Sequence, residues 1–276
     1  MLTGRSVGRI PHEERLMAVN WSGVEAQIDQ VIAQGGEASV AIIAPDGTRK
    51  SWRGDELFRA ASTIKISIMI EIFRRFERGQ SRPSDLQTLT DELRTPGSGV
   101  LYGLHSGLEL TVADNLYLMI AISDNTATNF LIDLAKIDAI NDTLEELGIT
   151  QSLVRRRMLG RTPGPDEPEN WIKANEMVEQ IDLILTNRAA EPASCSGMRD
   201  LLRTQQCTRR IARFLPEGTD WGSKTGSLEA VCNDVGFAMT PSGPLALAIF
   251  TRGLDEDAGE LAIASIARAA WDAVTA

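Results

Sequence analysis

Apolar positions change their period several times along the chain. Val24, Ile28, Val31 and Ile32 recur at helical spacing until Gly35-Gly36 stop them. The run 38–44, ASVAIIA, is short and β-rich, and Pro45-Asp46-Gly47 supplies turn chemistry before a second extended stretch around 49–54, so these segments predict a hairpin. From Thr63 to Gly79 the chain is apolar on nearly every side at first and charged towards its end. Its isoleucines alone would suit a strand, but its length and the Arg-rich last turn closed by Gly79 predict a buried helix that emerges at the surface. A helical turn at 90–93 precedes the loop Pro96-Gly97-Ser98-Gly99, and Thr111 suits the cap of an apolar helix over 111–122. Further helices are predicted over about 126–136, 139–147, 174–186 and 198–215, with a Gly/Pro/acid loop at 160–170. The segment 225–253 holds two strand-like runs joined by Pro241-Ser242-Gly243, and an alanine-rich helix covers 260–276. Helix, two strands, many helices, strands, helix is the order of a discontinuous α/β domain made from 1–60 with 205–276, and an all-α domain inserted at 61–204. The candidate site lies between them.

Composition narrows the function. The 276 residues are 43% hydrophobic and 24% charged, enough to bury a sizeable core. With 28 basic and 38 acidic residues the formal charge is −10, which repels a phosphate backbone, and the triplet Arg155-Arg156-Arg157 suits a helix end or a domain-facing surface better than nucleic acid. Cys195, Cys207 and Cys232 have neither the number nor the spacing of a disulfide framework or sulfur zinc site. His12 and His105 are the only histidines, so no histidine-rich metal site is expected and another general base is needed. No cofactor is expected. The first sixteen residues read as a loose arm without the apolar stretch of about 7–15 residues that marks a secretory signal. A full-length chain is thus expected in the cytoplasm, and one shortened by removal of a leader in the periplasm or outside. No apolar run of about 18 residues is present to span a bilayer, and a soluble monomer or weak homodimer is expected.

Three short motifs can carry chemistry. Ser62 and Lys65 are one turn apart at the start of the apolar helix, where a lysine desolvated by Ile64, Ile66, Ile68 and Met69 is easier to deprotonate and can serve as base. Capping by Ser62 and a solvent-facing Lys65 is the alternative. Ser123-Asp124-Asn125 sits between two helices, where all three residue types also favour capping. Lys224-Thr225-Gly226 opens the late strand region, its glycine permitting close approach of a ligand to the backbone, or simply forming a turn.

Taken in order, S-x-x-K, S-D-N and K-T-G resemble class A β-lactamases and penicillin-binding proteins. The likeness extends to FRAASTIKISIM, LTVADNLYLMIAISDNTATNFLID and WGSKTGSLEAVCNDVGF, and covers about 38–252. It implies a β-lactamase/transpeptidase-like fold, an antiparallel sheet flanked by the N- and C-terminal helices with an inserted helical domain. It also implies that Ser62 resembles the acylated nucleophile, Lys65 its proton acceptor and Ser123 the shuttle to the leaving nitrogen. Lys224 and Thr225 resemble the groups that hold the substrate carboxylate, with Gly226 beside them. Asn125 is similar to the amide that binds the acylamino carbonyl, and Asn129 to the asparagine that pins the neighbouring acidic loop. The backbone N–H groups of Ser62 and Ser227 resemble an oxyanion hole.

The likeness is incomplete at two places. The loop 160–170 offers Glu167-Pro168-Glu169-Asn170, with Trp171 where the family has asparagine, and its spacing to Met177 is short. Glu167 is the candidate deacylating base, with Glu169 as the other. The arginine expected after the K-T-G strand is absent, Asp234 occupying that neighbourhood and opposing a substrate carboxylate, while Arg252 is the candidate to reach in from the next strand. The expected activity is hydrolysis of a β-lactam amide through an acyl-enzyme at Ser62, with slow release. The alternatives are an esterase, D-alanyl peptidase, amidase or transacylase acting on a cytoplasmic small molecule, and a catalytically silent β-lactam-binding or sensing protein. In each the partner is a small molecule with a carbonyl and a carboxylate.

Overall fold

A computed structural model describes residues 19–276; the N-terminal arm and His12 lie outside them. The chain runs α1 (Ser22–Ala33), β1 (Glu37–Ile43), β2 (Arg49–Trp52), β3 (Phe58–Arg59) and, after a 3₁₀ turn at Ala61–Ile64, α2 (Lys65–Glu77). Then come β4 (Leu86–Thr88), β5 (Glu109–Thr111), α3 (Val112–Ala121), α4 (Asn125–Ala135), α5 (Ile137–Glu146), β6 (Trp171–Ile172), α6 (Ala174–Leu185) and α7 (Pro192–Arg203). Three long strands, β7 (Trp221–Leu228), β8 (Val231–Thr240) and β9 (Gly243–Arg252), lead into α8 (Glu256–Thr275).

Both chain ends build one antiparallel sheet in the order β2-β1-β9-β8-β7. The two-residue period of its strands sorts side chains to opposite faces. Val40 and Ile42 of β1 join Leu245, Leu247 and Ile249 of β9 in the cluster beneath α1 and α8. Their neighbours Ala41, Ile43, Ala246, Ala248 and Phe250 face the larger cluster that α2, α3 and α6 fill. On α8, Ile263, Ile266, Ala267, Ala270 and Trp271 follow the helical period and meet Val24, Ile28 and Val31 of α1. Burying both faces gives the sheet its nearly continuous apolar runs. Among the described residues no helix is long and apolar enough to cross a membrane.

Two elements differ from the sequence expectation. The late region holds three strands rather than two, because WGSKTGSL also pairs, with Thr225 opposite Asp234. Its glycines weaken a strand in isolation, but here they are packing requirements: a Cβ on Gly222 would lie 2.9 Å from the Arg203 nitrogen, and one on Gly226 would lie 2.9 Å from the Ser62 nitrogen. The helix expected over 198–215 starts earlier, with Pro192 in its first turn, and stops at Arg203. Residues 204–210 leave it because their polar groups bind elsewhere, Gln205 donating to the carbonyls of Ile120 and Ser223.

Candidate active site

The 3₁₀ turn at Ala61–Ile64 sets Ser62 over Lys65. Three residues per turn eclipse positions i and i+3, and the Lys65 backbone N–H donates to the Ser62 carbonyl. Ser62 makes no side-chain cap here, since the turn and α2 both begin without one. Nor is Lys65 solvent-facing: it is 0% exposed, and burial lowers its amine well below the ordinary lysine range, with Lys224 adding to that effect. Lys65 Nζ lies 2.7 Å from the Ser123 carbonyl, 3.0 Å from Ser123 Oγ and 3.1 Å from Asn125 Oδ1. A neutral amine has two N–H groups for the two carbonyl oxygens and one lone pair for a hydroxyl proton. Ala61 (φ 48°) and Ser123 (φ 61°) hold left-handed conformations that side-chain-bearing residues rarely adopt. Two of the six non-glycine residues with such a φ among the described residues thus lie beside Ser62 and at Ser123 itself.

The S-D-N segment divides its labour. Asp124 caps α4 through Ala127 and also accepts from the Val100 and Leu101 N–H groups, fixing the loop over the cleft. Asn125 uses its oxygen on Lys65 and its nitrogen on the Pro96 carbonyl. Asn129 holds the backbone of Met158 from both sides, accepting from its nitrogen at 2.8 Å and donating to its oxygen at 2.9 Å, and also donates to Thr95 Oγ1. Replacing Asn129 by alanine strands these buried partners and is expected to cost about 2–4 kcal/mol. A thermal or urea melt of the variant checks this.

The strand β7 forms the opposite wall. Lys224 is 0% exposed, its Nζ donates to the Thr225 carbonyl at 2.8 Å, and burial lowers its amine to about 7 even though Asp234 pulls the other way. Ser62 and Ser227 line one cavity of about 250 Å³ together with Asn125, Met158, Leu159 and Arg161. Gly226 lets β7 approach Ser62 closely enough for this.

Four sequence candidates fall elsewhere. Glu167 is not on the cavity wall: Arg161 binds its carboxylate through two nitrogens at 2.6 and 2.7 Å, and that pairing lowers it to about 2. Glu169 is clasped between Arg59 and Arg156. The loop instead presents Met158 and Leu159 to the cleft. Asp234 does not line the cavity either; it is buried, accepts from the Ile211 N–H at 3.1 Å, and burial raises its carboxyl above the usual range. Arg252 pairs with Glu37 and covers the Phe58 ring, its guanidinium 4.4 Å from the centroid.

One residue had no motif to announce it. Arg210 is 2% exposed and donates to the carbonyls of Gly226 and Asn233 at 2.9 and 2.8 Å and to Ser227 Oγ at 2.5 Å, with Glu260 behind it. It lies in the segment after α7, within the stretch that the sequence pattern predicts to be helical.

A two-faced antiparallel sheet, a serine stacked on a buried lysine and a second buried lysine on the facing strand define the class, that of class A β-lactamase and penicillin-binding-protein-like enzymes. The sequence profile described as "Beta-lactamase enzyme family" matches residues 23–274, and the chain belongs to that family. It is 49% identical to a β-lactamase from Sphaerobacter thermophilus DSM 20745, with 91% of this chain and 96% of that one covered and a TM-score of 0.89. It is 25% identical to a PBP-A mutant solved as an acyl-enzyme complex with penicillin-G, covering 91% and 96% of the two chains at a TM-score of 0.81. A curated relative, "Beta-lactamase regulatory protein BlaB" of Streptomyces cacaoi, is 23% identical over 69% of this chain and 76% of that protein. Family and fold make the chain a hydrolase of the β-lactamase type.

Proposed function

We propose that Ser62 attacks the carbonyl of a β-lactam or a related acyl donor, and that the resulting acyl-enzyme is released slowly. The observation that carries this reading is the pairing of a complete acylation apparatus with a loop that offers Met158 and Leu159, and no free carboxylate, to the cleft. Lys65, whose charged form burial disfavours, takes the Ser62 hydroxyl proton; Ser123, 3.0 Å from its Nζ, passes a proton to the departing nitrogen. The N–H groups of Ser62 and Ser227 stabilise the tetrahedral oxygen, and Asn125 orients the acylamino group. Lys224, Thr225 and Arg210 hold the substrate carboxylate, with Arg210 reaching Ser227 directly. A water that attacks the ester needs a base within about 2.6–3.2 Å, and neither Glu167 nor Glu169 lines the cavity that holds Ser62.

The deciding experiment is stopped-flow and intact-mass analysis with penicillins, aryl esters and D-alanyl peptides, on the parent and on Glu167→Gln. Fast formation of one adduct per chain, a small steady-state rate and equal deacylation in both proteins are expected. Rapid turnover that Glu167→Gln arrests would reverse the assignment. Fast turnover of esters with no β-lactam adduct would move the substrate class to esters.

A pH dependence follows from Lys224. Its ammonium is lost as pH rises through about 7, so the affinity for a substrate carboxylate falls above that pH, approaching tenfold per unit, until ligand binding itself raises the value. The second-order acylation rate against pH, measured with a penicillin and with an aryl ester lacking the carboxylate, checks this. The high-pH fall belongs to the penicillin alone.

A further inference from the structure

The loop wall of the cleft is basic. Arg156 and Arg161 line the cavity that holds Ser62, and no aspartate or glutamate lines it among the described residues. The backbone just before Arg161 is set by two contacts. Asn129 fixes Met158, and Gly160 packs so tightly on Pro96 that a Cβ there would lie 2.2 Å from the Pro96 oxygen. That same oxygen accepts from Asn125, so the backbone that leads into Arg161 is joined to the Asn125 side of the cleft.

The counter-ion of Arg161 is replaceable. Glu167 belongs to the same exposed loop; its side chain is 39% exposed and that of Arg161 56%. An exposed pair of this kind adds little to stability, so a ligand carboxylate can take the place of Glu167 or share the remaining guanidinium N–H groups. Arg156 is more enclosed and reinforces the field; it is tied to Glu169 and to the Arg157 carbonyl, while its buried Nε has no acceptor among the described residues.

We infer that Arg161, backed by Arg156, forms an anion subsite selecting acyl donors that carry a carboxylate on the acyl side chain, separate from the carboxylate held near Lys224. This rests on the acyl-serine reading above for the orientation of the donor. Planar guanidinium and carboxylate meet through two charge-assisted bonds, and Arg161 already displays that geometry with Glu167. The substrate class is therefore a dianionic acyl donor. Glu167 is a competing internal ligand.

Benzylpenicillin and its α-carboxy derivative differ by this one group and provide the test. Binding to Ser62→Ala by calorimetry is expected to favour the carboxylated compound by about tenfold, the effect of one charge-assisted contact. Adding Arg161→Ala brings the ratio to about one, Arg161→Glu inverts it, Glu167→Gln widens it, and about 0.5 M salt narrows it. Equal binding of the two compounds, or a ratio that survives Arg161→Ala, overturns the subsite. Acylation of the parent by both compounds separates the two ideas. If Ser62 is labelled but binding is equal, the subsite falls alone; if binding shows the ratio but no adduct forms, the acyl-serine reading falls alone.

Discussion

Ser62→Ala is expected to abolish covalent labelling by penicillins and to lower any turnover by at least about 10³-fold, the scale on which removal of a nucleophile is felt. The physical ground is the 3₁₀ turn, which places Ser62 one turn before the buried Lys65 and on the wall of the cleft beside β7. Because Ser62 caps nothing, the fold is expected to be unaffected, with a stability change within about 0.5 kcal/mol. Intact-mass analysis with a denaturant melt on the same sample measures both. An adduct that persists on the alanine protein would assign the nucleophile elsewhere.

Lys65→Met is expected to slow acylation by about 10²–10⁴-fold, the usual contribution of a general base. Its effect on stability has two opposing parts. Methionine leaves the Ser123 and Asn125 carbonyl oxygens without their donor, which destabilises. It also removes an amine whose protonation is favoured in the unfolded chain and resisted in the folded one. Since the folded value is depressed, the unfolded chain binds more protons between that value and about 10.5, and the parent loses stability as pH falls through this window. The melting temperature of the variant minus that of the parent should thus increase as pH is lowered from about 10.5. A difference independent of pH, with acylation intact, would mean that Lys65 is charged in the fold and is not the base.

Much of this was legible in the sequence because short-range signals agreed with the fold. The β-rich run ASVAIIA, the length and Arg-rich last turn of the α2 segment and Thr111 as a cap are local signals, and the observed β1, α2 and α3 follow them. The three motifs were readable for the same reason, each being compact in sequence. What was not legible depends on distant contacts. Nothing in the loop 160–170 says that Arg161 will claim Glu167, or that Asn129 will bring Met158 rather than a glutamate to the cleft. Arg210 was hidden in a run that looked helical, although its place among the carbonyls of Gly226 and Asn233 is decided by strands that follow it. Strand β7 was obscured by the very glycines that let it pack against Arg203 and Ser62.

That close approach of Gly226 to Ser62 bears on self-association as well as on chemistry. β7 is an outer strand of the sheet, and an uncovered outer strand invites another chain to add to it. Here the middle of β7 is sheltered by the segment Ala60–Ser62, which Asn233 ties down by donating to the Arg59 and Ala60 carbonyls. The other outer strand, β2, carries Arg49 and Lys50, charges that discourage edge pairing. By seating Ser62 against the sheet margin, the protein keeps a cavity of about 250 Å³ there and denies a neighbouring copy the continuous ribbon on which fibrous assembly depends.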